Sequence, residues 1–265
     1  MIRFLSNVPI FRRLFIAFAI AAIIPGIVIV LLGNFFINTL DANSQAVSKS
    51  FDAQSLASQE ESNLNRMNAL LNAHFYEVFA SSSPVITDPS LFASGGLEVG
   101  EISADQADFD NNLHFYISQY QIATSDNMSA IRAILLNNDA VGGNSIITSQ
   151  QAALQEVANT DWNKYLSFQK TELQALSNLP NQILSPNQSS TDQIRTNYRN
   201  DYRTLFDANQ AFTNLKNHWQ QVVNASLDMG KAVTVVGPSQ VQPIFLATSL
   251  ALVLTILVVT LTGWV

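Results

Sequence analysis

The sequence predicts an all-α protein: an antiparallel four-helix bundle flanked by two transmembrane helices. Three observations predict it. Uncharged, largely apolar stretches lie near both ends of the 265-residue chain. Between them, apolar residues recur at helical spacing with polar residues in the gaps. Glycine and proline cluster at only a few places in that middle, so the periodic segments between them are long.

The elements follow in order. Residues 1–13 read as a cytoplasmic N-terminus carrying Arg3, Arg12 and Arg13, and residues 14–37 as a first membrane span. A crossing helix needs about 20 predominantly apolar residues, and this run reaches that length without a charge. A cleaved signal peptide is the competing reading, but the run exceeds a 7–15 residue h-region and no A-x-A-like site follows Phe35-Phe36. Residues 38–242 form an extracytoplasmic helical-bundle domain, 243–262 a second span, and 263–265 the start of a cytoplasmic segment. Basic residues stay inside, so both termini are expected in the cytoplasm and the location is the plasma membrane.

The first bundle helix is expected from Asn38 to about Ser82, on a stripe of Ala53, Leu56, Leu64, Met67, Leu71, Phe75 and Val78. Pro84, Asp88-Pro89 and Gly95-Gly96 then mark a loop over 83–104. The second helix runs from Ala104 to Asn137 through Phe109, Leu113, Tyr116, Tyr120, Ile131 and Leu135, and Gly142-Gly143 closes the turn after it. The third runs from Thr148 to Leu179 through Leu154, Val157, Trp162, Tyr165, Phe168 and Leu176, stopped by Pro180 and Pro186. The fourth starts near Thr191, capped by Ser190 or Thr191, and carries Ile194, Tyr198, Leu205, Phe212, Leu215, Trp219, Val222 and Met229 toward Val236. Gly237-Pro238 and Pro243 should interrupt its join to the second span. Such amphipathic helices hold only by burying their apolar faces on one another, which makes the aromatic residues core. A helix-flanked α/β sensor fold is the runner-up, resting on Val85-Ile86-Thr87, Ile146-Ile147-Thr148 and Val233 to Val236. The outer helices exceed the inner ones by about 13 residues, roughly 20 Å of helix. A two-helix stalk of that length covers its seam poorly, so a parallel homodimer is expected.

Charge narrows the partners. All 20 acidic residues lie between the apolar stretches, with 10 of the 13 basic ones, leaving that segment at −10. Such a surface repels nucleic acid. The expected partners are a lipid bilayer, a second copy, and a small anionic ligand or an extracytoplasmic protein. The chain has no cysteine, which excludes disulfides and thiol chemistry.

The layout, together with Arg12-Arg13-Leu14-Phe15-Ile16-Ala17-Phe18 leading through Ile24-Pro25-Gly26, resembles the input region of bacterial two-transmembrane receptors. These are sensor histidine kinases and methyl-accepting chemotaxis receptors with a four-helix-bundle ligand-binding domain. The resemblance implies a membrane-anchored sensor module that signals inward. In such receptors a HAMP linker and a kinase or chemotaxis output follow the second span; here the sequence ends at Gly263-Trp264-Val265, as a fragment or an isolated input half would. A ligand-free structural or partner-docking helical protein is the alternative.

No catalytic motif is present, so no enzyme and no cofactor are expected. There is no HExxH, GxSxG, P-loop or GxGxxG pattern. His74, His114 and His218 fall on three different expected helices, without metal-ligand spacing, and read as interfacial residues. One charged constellation points to a ligand: Arg195, Arg199 and Arg203, at i, i+4 and i+8 on the fourth helix. Guanidinium groups grip carboxylates and phosphates bidentately, so the stripe suits a small anion. The competing reading is a solvated face paired with Asp192, Glu60 or Glu61. In the resembling receptors, ligands bind at this level of the bundle, at the dimer interface.

Overall fold

A computed structural model of the chain describes residues 10–81, 95–137, 142–183 and 191–263. Among them it is all-helical, with six α-helices and no strand: α1 (Ile10–Ser81), α2 (Gly95–Tyr120), α3 (Ser129–Leu136), α4 (Gly143–Glu156), α5 (Trp162–Ile183) and α6 (Thr191–Gly263). Residues 146–148 and 233–236, which the α/β alternative needs as strands, are helical, and 85–87 lie outside the described residues.

Two compact units form. Unit 1 comprises Met1–Val47 and Ala232–Val265, and unit 2 is Ser48–Lys231. In unit 1, Ala46, Ala232, Val233 and Val236 are buried, whereas Phe18, Ile23, Ile27, Val30, Leu31, Phe35 and Ile37 are exposed.

No helix among the described residues is long and apolar enough to cross a membrane. This corrects the two spans expected at 14–37 and 243–262, and the plasma-membrane location with both termini inside that rested on them. Both spans rested on runs without charge; among the described residues those runs do not make a helix that meets the length and apolarity a crossing requires.

Prolines shape the helices less than expected. α6 stays helical through Gly237-Pro238 and Pro243, α5 continues past Pro180 to Ile183, and α1 passes Pro25-Gly26. A proline deletes one backbone hydrogen bond and crowds the preceding turn, which a long helix absorbs as a local perturbation.

The expected second helix is two. It begins earlier, at Gly95, and breaks after Tyr120 into a turn, a 3₁₀ segment (Asp126–Met128) and α3. Side chains satisfy the backbone groups exposed by the break, as burial demands. The Ile122 amide donates to Gln150 Oε1 at 2.7 Å, and Arg132 Nη1 donates to the carbonyls of Ile122 and Ala123 at 2.9 and 2.8 Å. Lys49 Nζ reaches the Asn127 carbonyl at 2.8 Å. The next turn needs glycine twice. Gly142 holds φ at +64°, and a Cβ on Gly143 would lie 2.1 Å from the Leu135 carbonyl oxygen.

Between α4 and α5 the chain remains helical but widens into a π segment, Val157–Asp161, where the Trp162 amide donates to the Val157 carbonyl. Asp161 and Trp162 both turn inward there.

The interior of unit 2 contains the aromatic residues expected as core: Phe75, Phe109, Tyr116, Trp162, Tyr165 and Trp219 are all buried. Phe109 packs on Trp162 and Trp219 with ring centroids 4.6 and 5.2 Å apart. Tyr198 departs from the expectation, being exposed. A second cluster joins Leu71 and Phe75 of α1, Ile102 of α2, Leu176 of α5, and Leu205 and Ala208 of α6, with Phe168 and Leu173 packed against it.

Candidate functional site

α6 carries all three arginines of the expected stripe. Arg199 and Arg203 are exposed; Arg195 lies on the same helix, but its side chain is outside the described residues. The continuous helix keeps the i, i+4, i+8 spacing, so the three Cα positions drift slowly around one side of α6.

The pairing expected on a solvated face is not seen for the described members. Among the described residues Arg199 and Arg203 make no ion pair; the pairs that form join Arg66 to Asp105, His114 to Asp110, His218 to Asp161 and Lys231 to Asp228. Glu60, one of the suggested partners, is buried and receives hydrogen bonds from Asn63 and Asn112 instead. The Asp192 side chain lies outside the described residues.

Aromatic residues stand beside these arginines in the sequence of α6, and one of them, Tyr198, was expected in the core. Tyr198, Tyr202 and Phe206 are exposed at i, i+4 and i+8 on α6. Tyr198 and Tyr202 stack with centroids 6.3 Å apart and planes 16° from parallel. Both approach Phe75 of α1, at 6.4 and 6.3 Å, and Phe75 in turn meets the exposed Tyr76 edge-on at 5.6 Å. The result is a guanidinium and phenol surface on an acidic chain. Planar guanidinium groups chelate carboxylate or phosphate oxygens, and flanking phenols add hydroxyl donors and a surface for stacking.

The histidines go to different surroundings. His218 Nδ1 lies 2.5 Å from Asp161 Oδ2, His114 is exposed near Asp110, and His74 is buried. Among the described residues no group of three or more His, Asp or Glu side chains is placed to hold a metal ion.

Sequence reasoning missed a set of buried acids. Glu60, Asp105, Asp161 and Glu172 are all buried in unit 2. Glu172 leaves both carboxylate oxygens without a hydrogen-bond partner, and Asp201 on α6 leaves Oδ2 likewise. A signal was available. Glu172 falls on the stripe Tyr165, Phe168, Leu176, and Asp201 between Tyr198 and Leu205, both at spacings of three and four. An acid in phase with an apolar stripe is directed inward.

No protein-family model, curated protein or solved structure matches this chain.

Proposed function

We propose that this chain is a ligand-binding input module, a four-helix bundle whose occupancy by a small anion is read by a signalling partner or domain. One observation carries the reading: Arg199 and Arg203 are exposed one turn apart, without an ion pair among the described residues, beside the stacked pair Tyr198 and Tyr202. In a chain of net charge −7, arginines that pair with no acid among the described residues are available to an outside anion. A ligand with one or two carboxylates, or a phosphate, matches the donor geometry.

Calorimetric titration of the full chain with succinate, citrate and inorganic phosphate tests it. Binding heat is expected for at least one, with affinity falling at least tenfold in the Arg199→Ala, Arg203→Ala double variant and partly retained with lysines. Equal affinities in wild type and double variant would place the anion site elsewhere.

A second reading is favoured by a different observation, the exposed apolar residues Phe18, Ile23, Ile27, Val30 and Leu31 of unit 1. It makes the chain a docking protein in which a second copy covers that face. Sedimentation equilibrium checks it: a monomer at micromolar concentration would end this reading.

A further inference from the structure

Among the described residues of unit 2, the buried acids are, with one exception, given a donor. Glu60 receives the amides of Asn63 and Asn112. Asp105 is held by Arg66, and Asp161 by His218. Glu172 is fully buried, and neither of its oxygens has a hydrogen bond. Its helix neighbours Phe168, Leu173 and Leu176 belong to the apolar cluster that α1, α2, α5 and α6 build around Leu71, Phe75, Ile102 and Leu205.

An ionised carboxylate in such surroundings loses its hydration and receives nothing in return. Among the described residues, no cation on the packed helices is paired with Glu172. On α6, Asp201 adds a second acid, with a buried oxygen of its own lacking a partner, and the guanidinium groups of Arg199 and Arg203 are exposed. On α1, Arg66 is committed to Asp105 of α2, Glu77 is a further acid, and His74 is buried. On α2, Glu101 is exposed and acidic; on α5 itself, Lys170 is exposed. A proton is the simplest species that neutralises Glu172 without opening the cluster.

We propose that this end of unit 2 is a proton-gated joint, closed while Glu172 carries its proton and loosened when Glu172 ionises. The open form exposes Glu172 to water, restores its ordinary acidity, and separates α5 from the Phe75–Leu205 contact. The gate is independent of the anion reading, because it needs neither Arg199 nor Arg203.

Its working range follows from the same burial. Burial first, and the charge of Asp201 second, together push the Glu172 carboxyl up to about 8. Burial raises Asp201 as well. An exposed glutamate titrates near 4.3. Between those values the closed form holds a proton that the open form releases, so rising pH favours opening. The limit is tenfold per pH unit for one proton, reached where the closed form is fully protonated and the open form fully ionised.

Amide hydrogen exchange on the full chain, corrected for intrinsic pH dependence, reads the gate between pH 5.5 and 7.5. Protection over residues 168–176 and 201–208 is expected to fall by up to tenfold per pH unit in the wild type. Glu172→Gln should remove most of that slope, while residues 109–116 show little slope in either protein. An unchanged slope in Glu172→Gln would overturn the proposal, as would an equal loss of protection at 109–116. Should Glu172→Gln fail to fold, Asp201→Asn decides, with the exchange series extended to pH 9: removing the charge that raises Glu172 should lower the pH at which the slope levels off. A plateau at the wild-type pH would overturn the gate.

Discussion

Unit 2 has two interior regions built from the same helices and treated in opposite ways. Around Trp219, polar groups that enter the core arrive with partners. The indole donates to the Ala57 carbonyl at 2.8 Å, the Tyr116 hydroxyl lies 2.5 Å from Ser226 Oγ, and Gln150 donates to Tyr116 at 3.1 Å. The cluster around Phe75 is apolar and buried too, but Glu172 there leaves both oxygens without a hydrogen bond, and Asp201 leaves Oδ2 likewise. A paired buried group costs little net and fixes geometry, whereas an unpaired one bears its full desolvation cost. The first region is built to stay as it is, and the second is built to have an alternative.

Substitutions should therefore change stability with opposite sign in the two regions. The largest effect is expected from Trp219→Ala, which empties a fully buried site and removes the bond to Ala57. A loss of about 3–5 kcal/mol is expected, measured by urea unfolding. A loss under about 1 kcal/mol would show that this region is not the better-built one.

Next is Glu172→Leu, expected to stabilise the protein by roughly 1–4 kcal/mol at pH 8, as replacing buried charge by apolar volume can do. The gain should shrink toward pH 5. The sign follows from proton binding: Glu172 is raised in the folded state, so its contribution is fully present below the unfolded value and lost as pH rises toward about 8. Thermal unfolding across that range checks it, and a pH-independent gain would mean that packing alone is responsible.

A smaller loss, about 1–2 kcal/mol, is expected from Tyr116→Phe, which leaves Ser226 and Gln150 short of a partner without opening a cavity. Arg199→Ala should be the mildest, within about 0.5 kcal/mol of wild type by the same urea measurement, because its side chain is exposed and unpaired among the described residues. A substantial destabilisation there would make the arginine structural and weaken the case for an anion site.

The sequence showed where most helices run but not how they are interrupted. Apolar periodicity led to α1, α5 and the central part of α6, and to Phe75, Phe109, Trp162 and Trp219 as interior residues. It could not show the break after Tyr120, because side chains distant in sequence, Gln150 above all, complete the backbone there. It overvalued Pro180, Pro238 and Pro243 as stops, since a long helix continues through a single lost bond. It also read uncharged ends as membrane spans, where the described helices are not apolar enough for that. At the candidate site, the arginine spacing was legible, and so was the amphipathic frame that places it. The exposure of Tyr198 was not, because an aromatic stripe looks the same whether a neighbouring helix covers it or stops short. Glu172 and Asp201 were written in phase with their stripes, but a pattern search that counts only apolar residues passes over them.

The widened turn at Val157–Asp161 has a consequence for how this chain tolerates changes in length. An α-helix that loses a residue rotates everything downstream by about 100°, turning an interior face toward water. Here one surplus residue is already accommodated within a single turn. Deleting Ala158, Asn159 or Thr160 would let that turn relax to ordinary helical geometry while Leu154 and Tyr165 keep their facings. The same deletion a turn earlier, among Gln151 to Glu156, would leave the bulge in place and misalign all of α5. This stretch of the molecule thus holds a spare position, and shortened chains should survive there when they fail on either side.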